Sequence, residues 1–133
     1  MYKVILDTNV ILSGVLFGGT PGLLLEGMQK KIFQVCISNK LYDEIIDKLI
    51  NKFHVDKYFL NELKKLLNVT IFYKSTLNVN FPQDPDDSYL LSLCEESESD
   101  FLVTGDKKHL LPLIKWKNTK IISPKHAKDI LLR

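Results

Sequence analysis

Short apolar runs that stop abruptly at polar residues, with helical patterns between them, decide what this chain can fold into. Val4-Ile5-Leu6 halts at Asp7-Thr8-Asn9, Phe33 to Ile37 halts at Ser38, and Phe101-Leu102-Val103-Thr104 halts at Gly105-Asp106. Val69 to Tyr73 and Lys120 to Ile122 complete a set of five strand-like segments. Runs that are apolar on both faces belong to strands covered on both sides. Between them, Leu41, Ile45, Ile46, Leu49 and Phe53 recur at helical spacing behind Ser38, which is placed as an N-cap, and predict a helix over 39–53. Leu60, Leu63 and Leu67 predict another over 57–67, and Asp84-Pro85 opens one through Leu90, Leu91 and Cys94. A short helix over 107–111 and a last one after Pro124 follow. Gly18-Gly19-Thr20-Pro21 divides the stretch from Asn9 to Lys30 into two helical pieces. This alternation predicts an α/β fold: a central parallel sheet of about five strands between layers of helices. At 133 residues there is room for a single domain, 1–133.

The longest purely apolar runs, such as Val10 to Leu12 and Leu23 to Leu25, fall far short of the roughly 20 residues that cross a bilayer. The first residues are charged too early for a signal peptide, and a cytoplasmic protein is expected. Cys36 and Cys94 both sit inside apolar patterns and read as small buried hydrophobes, not as a disulfide scaffold. Charge is sorted along the chain. From Asp84 to Asp106 there are eight acids and no Lys or Arg, whereas from Lys107 to Arg133 there are eight bases and one acid. Solvated helix faces explain such sorting by default. The position of the acids relative to the strand ends argues for more.

Asp7 and Asp106 each follow an apolar strand, Glu44 lies in the first turns of the helix after the second strand, and Asp87 lies in the first turn of the helix before the fourth. In an open α/β sheet these positions share the carboxyl edge, where ligands bind. Singly, each has a structural explanation: a turn aspartate, a helix-dipole acid, a solvent-facing glutamate. Together they would repel one another unless a divalent cation neutralised them. Oxygen-only ligation points to Mg²⁺ or Mn²⁺ instead of zinc, and none of His54, His109 and His126 has a metal-ligand spacing to a partner.

The ordered fragments Val-Ile-Leu-Asp7-Thr-Asn9-Val, Ser38-Asn-Lys-Leu-Tyr-Asp-Glu44, Asp84-Pro-Asp-Asp87-Ser-Tyr-Leu-Leu and Leu-Val-Thr104-Gly-Asp106 resemble the acidic motifs of PIN domains. They are most similar to the branch formed by toxin components of toxin–antitoxin pairs. The resemblance runs from Tyr2 to about Ile122, and its combination of fragments is specific although each alone is weak. It implies a PIN-like α/β/α sandwich and a metal-dependent ribonuclease leaving a 5′-phosphate and a 3′-hydroxyl. Asp7, Glu44, Asp87 and Asp106 match the catalytic, metal-holding acids, and Asn9 and Thr104 match polar residues beside them. Asp84, Asp86 and Asp87 compete for the third acidic position. Asp87 is chosen because its distance to the Val-Thr-Gly-Asp strand fits the family best, with Asp84 as a supporting residue.

The chemistry expected of such a set is hydrolysis of a phosphodiester by metal-activated water, with no protein nucleophile. Lys107 and Lys108 head the residues expected to track an RNA backbone, with Lys30, Lys31, Lys115, Lys117 and Lys120 as further candidates. Arg133 is the only arginine, which argues against bidentate base reading and for selection by RNA shape. Three rivals are weaker. A haloacid-dehalogenase-like phosphatase needs an acid where this chain has Asn9, a response-regulator receiver needs an acidic pair near Asp7, and a PIN-like module that only bound RNA or a partner would be hindered by four acids. Leu12, Val15, Leu16, Phe17, Leu23, Leu24 and Leu25 exceed what one face of a short helix needs, so a homodimer is expected, and the toxin branch implies an antitoxin partner. The alternative is that these residues cover both sides of a small core.

Overall fold

The computed structural model describes all residues, Met1–Arg133. The chain runs β1 (Lys3–Leu6), α1 (Thr8–Phe17), α2 (Gly19–Gln29), β2 (Gln34–Ser38), α3 (Asn39–Asn51), α4 (Lys57–Leu67), β3 (Ile71–Tyr73), a 3₁₀ turn (Pro85–Asp87), α5 (Ser88–Ser97) and β4 (Phe101–Val103). A second 3₁₀ turn (Leu111–Leu113), β5 (Lys115–Trp116), β6 (Thr119–Ile122) and α6 (Pro124–Leu131) complete it. The six strands form one sheet in the order β3-β2-β1-β4-β6-β5, parallel except for β5. Val4, Ile5 and Leu6 are fully buried and every residue of β4 is buried, so helices cover both faces of the sheet's centre.

The chain steps outward from β1 to β2 and β3, then returns to place β4 on the other side of β1, with Leu6 opposite Val103. That reversal opens a crevice beyond the carboxyl ends of β1 and β4. Asp7, Thr104 and Asp106 all fall at its mouth because each lies just past one of those two strands.

Local sequence fixes the helix ends. The Ser38 hydroxyl accepts from the Leu41 amide at 3.2 Å, Asp56 accepts from the Phe59 amide at 2.7 Å and Ser123 accepts from the His126 amide at 3.2 Å. Gly18, at φ 78°, ends α1, and α2 leaves at 98° to it. No single helix is long and apolar enough to cross a membrane. Of the apolar residues in α1 and α2, Leu12, Leu24 and Leu25 are buried and Val15 and Leu16 pack against the core, while Phe17 and Leu23 stay exposed.

Strand and helix ends shift by one or two residues from the sequence expectation, and three larger departures have a physical reason. Val69 and Thr70 do not belong to β3: the Thr70 amide and hydroxyl both return to the Leu67 carbonyl, closing the end of α4. Residues 107–110 form a turn in place of a helix, because Asp106 takes the backbone amides of Lys108 and His109 with its side chain. The sheet gains a sixth, antiparallel strand, since Lys117 at φ 53° lets β5 fold back onto β6 as a hairpin.

The helices α1 and α2 meet closely at Gly14, where an added Cβ would lie 2.6 Å from Leu25 Cδ1 and 2.9 Å from the backbone of Pro21. Gly14→Ala is therefore expected to destabilise the fold by about 1–3 kcal/mol, overpacking outweighing the roughly 1 kcal/mol that alanine gains in helix propensity. Urea denaturation checks this, and a variant as stable as the parent would show that the helices can separate without cost.

Candidate metal centre

β1 hands the chain to Asp7 and α1 begins at the next residue, so the Asp7 side chain has little path to bulk water and is 7% exposed. It is held from the neighbouring strand. The Thr104 hydroxyl donates to Asp7 Oδ2 at 2.6 Å, and the Asp7 amide donates to the Val103 carbonyl at 3.0 Å. The same Thr104 oxygen accepts the Asp106 amide at 3.1 Å. One buried hydroxyl thus fixes the direction of one carboxylate and the backbone of the other.

A cleft of about 430 Å³ opens in front of these groups, lined by Asp7, Asn9, Glu44, Lys48, Asp84, Asp87, Gly105, Asp106, Lys108 and His109, with no apolar residue among them. α3 brings Glu44, which pairs with Lys48 one turn later at 3.3 Å. The 3₁₀ turn brings Asp84 and Asp87 together, since the Asp84 side chain caps its start and Asp87, its last residue, stands at the N-cap position of α5 without a side-chain capping bond. Asp86 is exposed outside the cleft and contributes its amide to Asp84 at 3.2 Å. Both remaining competitors for the third acidic position, Asp84 and Asp87, therefore face the same space. Thr104 is buried behind the cleft, Lys108 stands at its wall, and Lys107 is exposed outside it.

Burial pushes the Asp7 carboxyl up and Glu44 adds to the shift, while Thr104, the Asn9 amide and Lys48 oppose it. Asp87 is pushed up to about 8, first by desolvation, then by the charges of Asp7 and Asp84 and by its contacts with Asp106 and Asp84. For Asp106, desolvation is outweighed by the amides of His109 and Lys108, by Asp87 and by the His109 ring, so its carboxyl sits below the usual range. Within one tight group, one acid keeps its charge because another takes up a proton. Tyr89, whose hydroxyl lies 3.0 Å from Thr8 Oγ1, is held neutral by burial and by the Glu44 carboxylate beside it.

Three participants escaped the sequence reading. Lys48 follows Glu44 at helical spacing, a signal that could have found it. Tyr89 gave none that separated it from a core aromatic. His109 corrects the expectation that no histidine has a ligand-like partner: its Nδ1 lies 3.1 Å from Asp84 Oδ2 and 3.8 Å from Asp106 Oδ2. Its nearest partner is remote in sequence, so spacing could not show the contact.

The model of the PIN domain matches residues 3–108, a span that holds every acidic residue of the cleft. The chain belongs to the PIN domain family. Comparison with curated proteins returns no match. Membership in this family supports a nuclease, of a kind that is typically metal-dependent. The donor chemistry of this PIN domain fits a divalent cation. Five carboxylates line one apolar-free cleft against two lysines, burial and the neighbouring acids push the Asp87 carboxyl up, and Asp84, Asp106 and His109 form a group that could hold a metal ion.

The raised Asp87 carboxyl has a defined sign. Between its ordinary value of 3.8 and about 8 the folded chain holds a proton that the unfolded chain has released, so stability falls as pH rises through that window. Asp7, also shifted up, acts in the same direction, and Asp106, shifted down, acts only below it. Urea midpoints measured in EDTA should fall from pH 4 to pH 8, more shallowly in Asp87→Asn, and millimolar Mn²⁺ should raise the midpoint at the alkaline end. A parent midpoint independent of both pH and Mn²⁺ would show that the carboxylates do not feel one another.

Proposed function

We propose that this PIN domain is a Mg²⁺- or Mn²⁺-dependent endoribonuclease acting in the cytoplasm as the toxin of a toxin–antitoxin pair. One observation carries the nuclease reading: Asp7, Glu44, Asp84, Asp87 and Asp106 converge on a single cleft at the crevice between β1 and β4. A cation that only balanced charge on a solvent-facing helix would not need a buried acid oriented by a buried hydroxyl. The toxin role and RNA as substrate are supported by the likeness of the four acidic motifs to the toxin branch. The exposed Phe17 and Leu23 on the N-terminal helix pair support self-association, and the same likeness supports an antitoxin partner.

A divalent ion, when bound, lowers the pKa of a water and stabilises the charge that develops on a phosphodiester. The protein's own residues supply position. Asp7, fixed by Thr104, and Asp106, fixed by the amides of Lys108 and His109, offer carboxylate oxygens in set directions. Glu44 is steered by Lys48 and by the neutral Tyr89 hydroxyl, which gives its carboxylate partners on two elements. Lys48 and Lys108 on the cleft wall face an incoming phosphate, and Lys107 outside it extends the basic track.

Asp7→Asn is expected to lower Mn²⁺-dependent cleavage of single-stranded RNA by roughly 100-fold or more, a fraction of the several kcal/mol that metal-type charge stabilisation supplies. Its urea midpoint should not fall, since the amide removes a buried charge. Cleavage unaffected by the substitution or by EDTA would reject the assignment. Turnover of small phosphomonoesters without RNA cleavage would favour the phosphatase, and RNA binding without cleavage would favour the inactive module.

A further inference from the structure

Asp106 organises the turn that follows it. Its Oδ1 accepts the amides of Lys108 and His109, each at 3.0 Å, and this turns the His109 ring back toward the carboxylates. Nδ1 then lies 3.1 Å from Asp84 Oδ2 and 3.8 Å from Asp106 Oδ2, and the donor atoms of all three residues fall within 4.8 Å of one another. Donors around an octahedral ion with bonds of about 2.1 Å are about 3 Å apart when adjacent and about 4.2 Å apart when opposite, and the two His109 contacts of 3.1 Å and 3.8 Å fall within that range. The His109 and Asp84 side chains are 26% and 24% exposed, both on the wall of the cleft and within reach of an entering ion. A nitrogen among carboxylates alters which ion is held. Oxygen-only sets suit Mg²⁺, whereas imidazole favours the later first-row ions.

We propose that His109 is a nitrogen ligand of the cleft's cation, beside Asp84 and Asp106, and that it biases this PIN domain away from Mg²⁺ and toward later transition ions such as Co²⁺ and Ni²⁺. This inference rests on the reading of the cleft as a divalent-metal site. The same contact could be a hydrogen bond that merely steadies Asp84. A steadying bond serves every ion alike, whereas a ligand acts on the ratio between ions.

Calorimetric titration of the full chain with Co²⁺ and separately with Mg²⁺, for the parent, His109→Asn, His109→Gln and Asp106→Asn, separates the two. Both histidine variants should lose at least about tenfold in Co²⁺ affinity, a loss that even removal of an outer-shell partner produces, with Mg²⁺ affinity changed by no more than about twofold. Asp106→Asn should weaken both ions. In the parent, Co²⁺ should also give a strongly shifted imidazole proton resonance, independent of how the variants fold. Equal weakening of both ions in the histidine variants, or an unshifted imidazole, overturns the ligand role while the loss in Asp106→Asn keeps the metal site. Failure of the parent to bind either ion removes the site itself.

Discussion

The hydrogen bond from Thr104 to Asp7 ties the fold to the chemistry, because it joins the two central strands at the point where the sheet's winding reverses. Neither residue could hold its place alone. A buried carboxylate without a donor would lose more by desolvation than the turn could return, and a buried hydroxyl without an acceptor would be left unsatisfied. Paired, they let an acid sit 7% exposed at the end of a fully apolar strand. Asp106 is placed by the second contact of the same hydroxyl, while α3 and the 3₁₀ turn bring Glu44, Asp84 and Asp87 to the same cleft.

The cleft is a balance between a rigid scaffold and groups that repel. The core beneath it, a single cluster of 31 buried apolar residues running through β1, β2 and β4, supplies the rigidity. A domain of this size has only a modest margin of stability, so concentrated like charge is tolerable where protonation or a neighbouring cation relieves it. Lys48 relieves it on the α3 side, where it pairs with Glu44. The sorted charge of the sequence thereby has a spatial meaning, since the acidic stretch contributes Asp84, Asp87 and Asp106 and the basic stretch that follows contributes Lys108 at their border.

The parallel sheet was legible because its strands are buried on both faces, which makes Val4 to Leu6 and Phe101 to Val103 stand out as continuous apolar runs. The acidic set was legible because strand ends can be read from such runs, and the carboxyl edge follows from strand order. What stayed hidden depends on backbone geometry or on contacts remote in sequence. The β5 hairpin rests on Lys117 in a left-handed conformation, where glycine or asparagine would have announced the turn. Val69 and Thr70 are β-branched yet close a helix, because the Thr70 hydroxyl competes for the Leu67 carbonyl. His109 meets Asp84 only because the 3₁₀ turn and the turn after β4 converge on one cleft.

The short outer strands carry a consequence for behaviour in a crowded solution. A parallel sheet ends in two rows of unpaired backbone groups, each able to recruit a strand from another molecule. Here one margin is β3, three residues long and followed by Lys74, and the other is β5, two residues long, beginning with Lys115 and tethered through the Trp116 indole to Glu95 at 2.9 Å. Margins this brief, flanked by lysine, offer too little template for intermolecular sheet growth. The chain can thus keep an apolar, fully parallel centre without offering its margins as a template for fibrils.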